Sequence, residues 1–262
     1  MSDDDPAPLA ADSTSDQDLD IREPPRVLIP VEVLEGRAIS EPLVEFLAPA
    51  SIVLLGYHVL PEQTPTEQAS MQFEERARTA IEDIADAFRG VGRGVETRVA
   101  FTHDRDQTVE RVAAEVGATA TLLPNPTGAI EDVVVPIRGA VDVGRLADLV
   151  ATLLAGRAGA VTLWGLDTGG EFDADAAVER ARQTLLDRGL PAEQIDTEHS
   201  DSDAPVRDIV DRSDEFDIIV MGAGGPSLLS SLLGDATERV AEGAVAPVLV
   251  VRKRPDPPER TE

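Results

Sequence analysis

At 262 residues and 42% hydrophobic composition, the chain is long enough for one large domain or two small ones, each with an aliphatic core. It contains no cysteine, which excludes disulfides, cysteine-ligated metal sites and thiol catalysis. The 50 acidic residues outnumber the 23 basic ones and give a net charge of −27, so repulsion disfavours binding to nucleic acid or to an anionic membrane.

The excess of acidic residues has two explanations. The acids are spread through every predicted helix, which favours a protein that excess carboxylate keeps soluble in a salt-rich cytoplasm, where dissolved ions screen the repulsion between like charges. The alternative is an acidic surface that binds a basic partner. No apolar run reaches the length of a membrane-spanning helix, and the N-terminus lacks the pattern of a signal peptide. We therefore expect a soluble, cytoplasmic chain without membrane contact.

Residues 1–24 are rich in acids and small side chains and contain almost no large apolar residues, which predicts a disordered tail. After this tail, short apolar runs alternate with amphipathic segments, as expected for strands connected by helices. The strands predicted in the first half of the chain are 26–31, 52–60, 95–101 and 118–123. The helices predicted between them are 39–47, 67–88 and 106–116, the last with an N-cap near Asp104 or Asp106.

The same order of elements restarts after the helix-breaking sequence Pro124-Asn125-Pro126. The apolar run VVVPI repeats the earlier run RVLIPV, so that Pro136 stands in the place of Pro30. The strands predicted in this second half are 133–137, 160–166, 195–199, 218–221 and 248–251. The helices predicted between them are 142–154, 173–188, 204–212 and one that Gly234 and Asp235 open.

The alternation of strands and helices predicts the α/β class with a parallel, doubly wound sheet, and the repeat predicts two tandem copies of one fold. The domains would be a first copy at 25–128, a second copy at 129–253 and a flexible tail at 254–262. The first copy ends after its fourth strand. Because related halves tend to bury matching surfaces, we expect the two copies to pair as a pseudo-dimer. A homodimer of the whole chain is a second form of assembly that the pattern allows.

The most informative motif follows the predicted strand 218–221. The strand ends at Gly222, and Gly225 and Gly234 follow with eight residues between them. Glycines let the backbone turn tightly and approach a ligand closely. Ligands of open α/β sheets bind at the carboxyl ends of strands and near helix N-termini, so this glycine loop is the predicted place for a site.

The loop, the helix after it and the closing strand PVLVV resemble the C-terminal signature of the universal stress protein family. That signature is Gly-x-x-Gly, about nine residues, and Gly-Ser or Gly-Thr, followed by a helix and a final strand. The resemblance covers about residues 26–252. It implies a tandem protein with a Rossmann-like fold, of the adenine-nucleotide alpha hydrolase-like kind, similar to forms from halophilic archaea. In ATP-binding members the loop amides and the hydroxyl hold the phosphates, and an Asp after the first strand holds the nucleoside.

Two residues depart from that family pattern. Asp235 replaces the hydroxyl residue, and its carboxylate would repel phosphates and cap the helix amides that a phosphate needs. Arg138 replaces the nucleoside-binding acid, and it could meet a phosphate or an acidic partner, or pair with nearby carboxylates. These changes predict a degenerate nucleotide site. The residues of that candidate cofactor-binding site are Pro136, Arg138, Gly222, Gly225, Ser227, Gly234 and Asp235.

We expect a stress-response or regulatory protein that acts through an unidentified protein partner or by dimerising, without catalysis and without a cofactor. The alternative is an ATP-binding member with weak or no hydrolysis, in which the loop from Gly222 to Asp235 holds the phosphates. No HExxH, GxSxG or complete P-loop motif is present, so no catalytic or metal-binding residue is predicted. His103 beside Asp104 and Asp106 invites a metal or acid–base interpretation, but a polar strand end is the simpler one.

Overall fold

The computed structural model of the protein describes residues 19–34, 39–92, 94–139, 141–223, 240 and 243–254. Its strands are β1 (Arg26–Glu32), β2 (Ser51–Val59), β3 (Val95–Thr102), β4 (Ala120–Leu123), β5 (Asp132–Ile137), β6 (Ala160–Asp167), β7 (Ile195–Asp201), β8 (Ile218–Gly222) and β9 (Val248–Val251). Its helices are α1 (Glu41–Leu47), α2 (Thr66–Gly90), α3 (Arg105–Glu115), α4 (Val143–Leu154), α5 (Ala174–Asp187) and α6 (Pro205–Asp211), with one 3-10 turn at Ala192–Gln194.

The described strands and helices begin and end within about two residues of the predicted bounds. Acidic N-caps explain much of this agreement, because a side-chain carboxylate that accepts from a first-turn amide fixes the start of a helix. Asp104 accepts from the backbone N–H of Gln107 in this way at the start of α3. Asp142 and Asp173 cap α4 and α5 by the same bond. The helix predicted to open at Gly234 and Asp235 lies outside the described residues.

All nine described strands form a single sheet in the order β3-β2-β1-β4-β9-β8-β5-β6-β7. Every neighbouring pair is parallel except β4 and β9, which are antiparallel. Strands and helices alternate throughout, so the predicted α/β class with a mostly parallel sheet is confirmed. The first copy, called the first repeat from here on, supplies strands β3-β2-β1-β4 of this order. The second copy, called the second repeat, continues the sheet with β9-β8-β5-β6-β7.

Strand β9 belongs to the sheets of both repeats. One of its edges pairs with β8 of its own repeat, with Ile219 opposite Val248. Its other edge pairs with β4 of the first repeat, with Leu122 opposite Leu249. It therefore lies where a fifth strand of the first repeat would lie. The sequence repeat led us to expect contact between matching surfaces, but this contact joins strands that are not equivalent in the two repeats. The reason is that β4 would otherwise have an open edge without a hydrogen-bonding partner.

The two repeats also share a layer of helices. Helices α1 and α2 of the first repeat and α4 and α5 of the second pack into one continuous apolar cluster on the same face of the sheet. On the other face, α3 covers the first repeat and α6 covers the second in two separate clusters. Of the helices in the described ranges, none is long and apolar enough to cross a membrane.

The segment before β1 contacts the second repeat through Asp20, Arg22 and Glu23, although the sequence pattern places these residues in the acidic tail. The backbone N–H groups of Arg22 and Glu23 donate to the buried carboxylate of Asp148 in α4. The Glu23 carboxylate also accepts two hydrogen bonds from Arg145, which lower its pKa. A pattern of apolar side chains cannot reveal contacts that the backbone makes, which explains the difference.

Candidate functional site

Strands β5 and β8 lie side by side at the point where the strand order of the second repeat reverses. Their register places Val133 opposite Ile218 and Val134 opposite Ile219, and both strands run in the same direction. From β5 the chain continues outward to β6 and β7, whereas β8 and β9 lie on the other side of β5. The carboxyl ends of β5 and β8 therefore flank the kind of crevice in which α/β proteins bind ligands.

Arg138 follows β5 directly and lies at this crevice. Pro136 and Ile137 before it are buried in the strand, and Arg138 itself is half-buried. Burial lowers the pKa of its guanidinium below the usual range of an arginine. Among the described residues, Arg138 has no hydrogen-bond or ion-pair partner. Because a partly desolvated guanidinium gains most from an oxygen anion, this position favours a ligand or partner with a negative group.

Gly222 ends β8 next to the segment that follows β5. A side chain at this position would place its Cβ 2.6 Å from Cγ1 of Val141, which is closer than real carbon atoms approach. A glycine is therefore required for strand β8 to pack against the connection from β5 to α4. This packing accounts for Gly222 without a ligand. Because β8 pairs with β5, the backbone of Gly222 nevertheless lies beside the crevice.

The structure thus brings Pro136, Arg138 and Gly222 together at the carboxyl ends of β5 and β8. The other four residues of the predicted cofactor site lie outside the described residues. These four are Gly225, Ser227, Gly234 and Asp235. The side of the crevice that β5 supplies therefore has a defined geometry, and the contribution of the glycine loop stays a prediction.

A paired carboxylate and imidazole in the first repeat escaped the sequence analysis. Glu32 ends β1, and its Oε1 lies 2.7 Å from Nδ1 of His58 in β2. Both residues were visible as polar positions at the ends of apolar runs. The pairing follows from the register of β1 and β2, in which Glu32 lies opposite Tyr57, and aligning the two runs would have brought Glu32 close to His58.

The other two histidines lie in different surroundings. His103 follows β3, and its Nδ1 lies 3.2 Å from the carbonyl oxygen of Leu60. His199 lies inside β7 rather than at its end, because β7 continues to Asp201. Its Nδ1 forms an exposed pair with Asp175 at 2.6 Å. The described part of the chain contains no group of three or more side chains that could hold a metal ion.

Comparison with known proteins relates the second repeat to one family. Residues 140–252 match the model of the universal stress protein family. This stretch begins after Arg138 and includes α4, β8, the glycine loop and β9. No curated protein matches the chain.

Solved structures extend the likeness over both repeats. A universal stress protein from Archaeoglobus fulgidus DSM 4304 matches with a TM-score of 0.62 at 14% identity, over 88% of this chain and 97% of that one. A putative universal stress protein from Pseudomonas aeruginosa UCBPP-PA14 has a TM-score of 0.47 at 14% identity, over 87% and 92%. A universal stress protein in complex with cAMP has a TM-score of 0.40 at 25% identity, over 48% and 98%. The archaeal likeness shows a shared fold.

Proposed function

We propose that this chain is a tandem universal stress protein with a stress-response or regulatory role, acting in a salt-rich cytoplasm by binding a protein partner or by dimerising. The match of residues 140–252 to the family model carries this proposal. The fold supports it, since the mostly parallel sheet extends over both repeats. The role is non-catalytic, and the protein works through the surfaces that it presents.

The nucleotide site of the second repeat is degenerate in this proposal. Arg138 stands where ATP-binding relatives carry the acid that holds the nucleoside, and Asp235 stands where they carry a hydroxyl. The first change removes an acceptor, and the second adds negative charge near the position of the phosphates. The first repeat supports the same conclusion, because its β4 runs through Pro124-Asn125-Pro126 into β5 without a glycine loop.

The alternative is an ATP-binding universal stress protein, and Arg138 is the observation that favours it. A half-buried guanidinium without a described partner, at the crevice between β5 and β8, suits a phosphate group. In this alternative Gly222, Gly225, Ser227 and Gly234 hold the phosphates. Hydrolysis is weak or absent, since no acid–base pair of the described residues lies at this crevice.

Titration calorimetry with Mg-ATP separates the two functions. At about 1 M KCl, where the Debye length is about 3 Å, we expect no binding heat from the unaltered protein. Asp235→Ser removes the repulsive carboxylate and should restore binding, because the family places a hydroxyl there. Asp214→Ser is the control, since it makes the same chemical change at an exposed position. Binding by the unaltered protein that Arg138→Ala abolishes would establish the ATP-binding alternative instead.

Light scattering on the same sample tests the assembly. If the proposed role by dimerisation is correct, the unaltered protein should elute as a defined dimer without bound nucleotide, so that its absorbance at 260 nm is not raised. A monomer without nucleotide would leave a separate protein partner as the mode of action. A monomer that copurifies with adenine nucleotide would contradict the proposal.

We also expect the stability of the protein to rise with salt. A net charge of −27 destabilises the compact state by self-repulsion, and raising KCl from about 0.1 M to about 1 M shortens the Debye length from about 10 Å to about 3 Å. The thermal midpoint should therefore increase steadily over this range, followed by circular dichroism. Sucrose in place of KCl is the control, because sucrose is excluded from the protein surface but does not screen charge. A thermal midpoint in dilute buffer equal to the midpoint at about 1 M KCl would contradict the salt-adapted interpretation.

A further inference from the structure

The first repeat contains a carboxylate–imidazole pair at the carboxyl ends of its strands, with the carboxylate buried and the imidazole partly buried. Glu32 is 8% exposed, and its carboxylate lies 2.7 Å from Nδ1 of His58. A carboxylate only accepts hydrogen bonds, so Nδ1 of His58 carries the hydrogen and donates it. The second ring nitrogen, Nε2, is then an acceptor. It has no hydrogen-bond partner among the residues that the structure describes.

His58 lines a cavity of about 350 Å³ between the end of β2 and the first turns of α2. This volume lies within the range of about 300–1,000 Å³ that is usual for small-molecule sites. The wall mixes apolar side chains with the polar groups of His58, Gln63, Thr64 and Gln72, which could orient a ligand. The described lining residues are His58, Leu60, Pro61, Gln63, Thr64, Pro65, Ala69, Gln72 and Phe73.

The geometry points to a second ligand site here, one that takes a small amine with an apolar body. Its ammonium group donates a hydrogen bond to Nε2 of His58, and its apolar body packs against Leu60 and Phe73. Glu32 holds the imidazole in the tautomer that accepts at Nε2. No described lining residue is Lys or Arg, and the net charge is −27, so an anionic ligand is disfavoured.

This amine site is independent of the crevice between β5 and β8. The antiparallel pairing of β4 with β9 makes the strands of the two repeats run in opposite directions. The carboxyl ends of the first repeat's strands therefore lie at the end of the sheet opposite to the carboxyl ends of β5 and β8. Loss of nucleotide binding at the second repeat would leave the amine site unchanged, so a result that contradicts one proposal does not contradict the other.

The chain provides its own spectroscopic probe, because it contains only three histidines. We would titrate the full-length protein with benzylamine at pH 8 and follow the histidine ring signals by NMR. The signal of His58 should shift to saturation with a midpoint on the order of 1 mM. The signal of His199 is the internal control, since it forms an exposed pair with Asp175 and faces no cavity in the described lining. Benzoate, which has the opposite charge, should shift neither.

Two variants test the roles of the residues. Glu32→Gln should weaken benzylamine binding by about tenfold, as loss of a group that orients a ligating histidine does. The matched change Asp175→Asn should leave it unaltered. If Glu32→Gln fails to fold, Ala69→Leu provides the second test, because it fills the cavity and keeps the pair between Glu32 and His58. An unmoved His58 signal, equal shifts at His199, equal binding of benzoate, or unchanged binding by Ala69→Leu would each overturn the proposal.

Discussion

The Asp148→Ala variant should be less stable than the unaltered protein by about 3–5 kcal/mol. Asp148 in α4 is 1% exposed, and its carboxylate accepts a hydrogen bond from Nε of Arg188 at 2.5 Å. It also accepts from the backbone N–H groups of Arg22 and Glu23. Without this carboxylate, Arg188 is a buried cation that has lost its counter-ion, and two amides lose their acceptor. Urea unfolding at constant KCl measures the loss.

An exposed ion pair provides the control. Arg207 and Asp211 in α6 lie 3.4 Å apart with side chains that are 80% and 62% exposed, so Asp211→Ala should change the free energy of unfolding by less than about 1 kcal/mol. The double variant Asp148→Leu with Arg188→Met should regain much of the stability, because it leaves no unpaired charge. A loss in Asp148→Ala no larger than the loss in Asp211→Ala would show that the buried pair does not form in solution.

Leu249→Ala should destabilise both repeats together by about 2–5 kcal/mol. Leu249 is fully buried in the middle of β9, opposite Leu122 on one side and Val220 on the other. Because β9 completes the sheets of both repeats, the cavity left by the substitution weakens a single cooperative unit. The chain has one tryptophan, Trp164 in β6 of the second repeat, and its fluorescence reports on that repeat during unfolding.

The NMR signal of His58 reports on the first repeat in the same urea titration. Both signals should move to the same lower midpoint in Leu249→Ala. Val245→Ala is the control, because Val245 precedes the same strand but is 66% exposed and should shift neither signal. If the Trp164 signal moves and the His58 signal does not, β9 is not part of the first repeat's sheet in solution.

A shared fifth strand has a functional consequence. The two repeats cannot separate without exposing the edges of β4 and β9, so motion of one repeat relative to the other is restricted. Since β9 lies inside the sheet between β4 and β8, it is not available for pairing with another molecule. The outer strands β3 and β7 are the edges of the described sheet. β7 carries exposed acids along its length, which protect its edge against pairing with another strand.

Most of the fold was predictable because its signals are local. Apolar runs such as VVVPI identify strands that are buried on both faces, and the acids at Asp142 and Asp173 mark where α4 and α5 begin. The candidate site was predictable in part for the same reason. A polar residue after a buried strand, such as Arg138, lies at a carboxyl end wherever that strand is placed in the sheet.

The sequence by itself determined the α/β class, the repeat, the element bounds and the position of Arg138, since each depends on residues that are neighbours along the chain. Only the tertiary structure decided that β9 lies between β4 and β8, that Glu32 meets His58, and that Asp148 binds the backbone of Arg22 and Glu23. These contacts join residues that are far apart in sequence. They depend on sheet order, register and backbone hydrogen bonds, none of which leaves a periodic pattern of side chains.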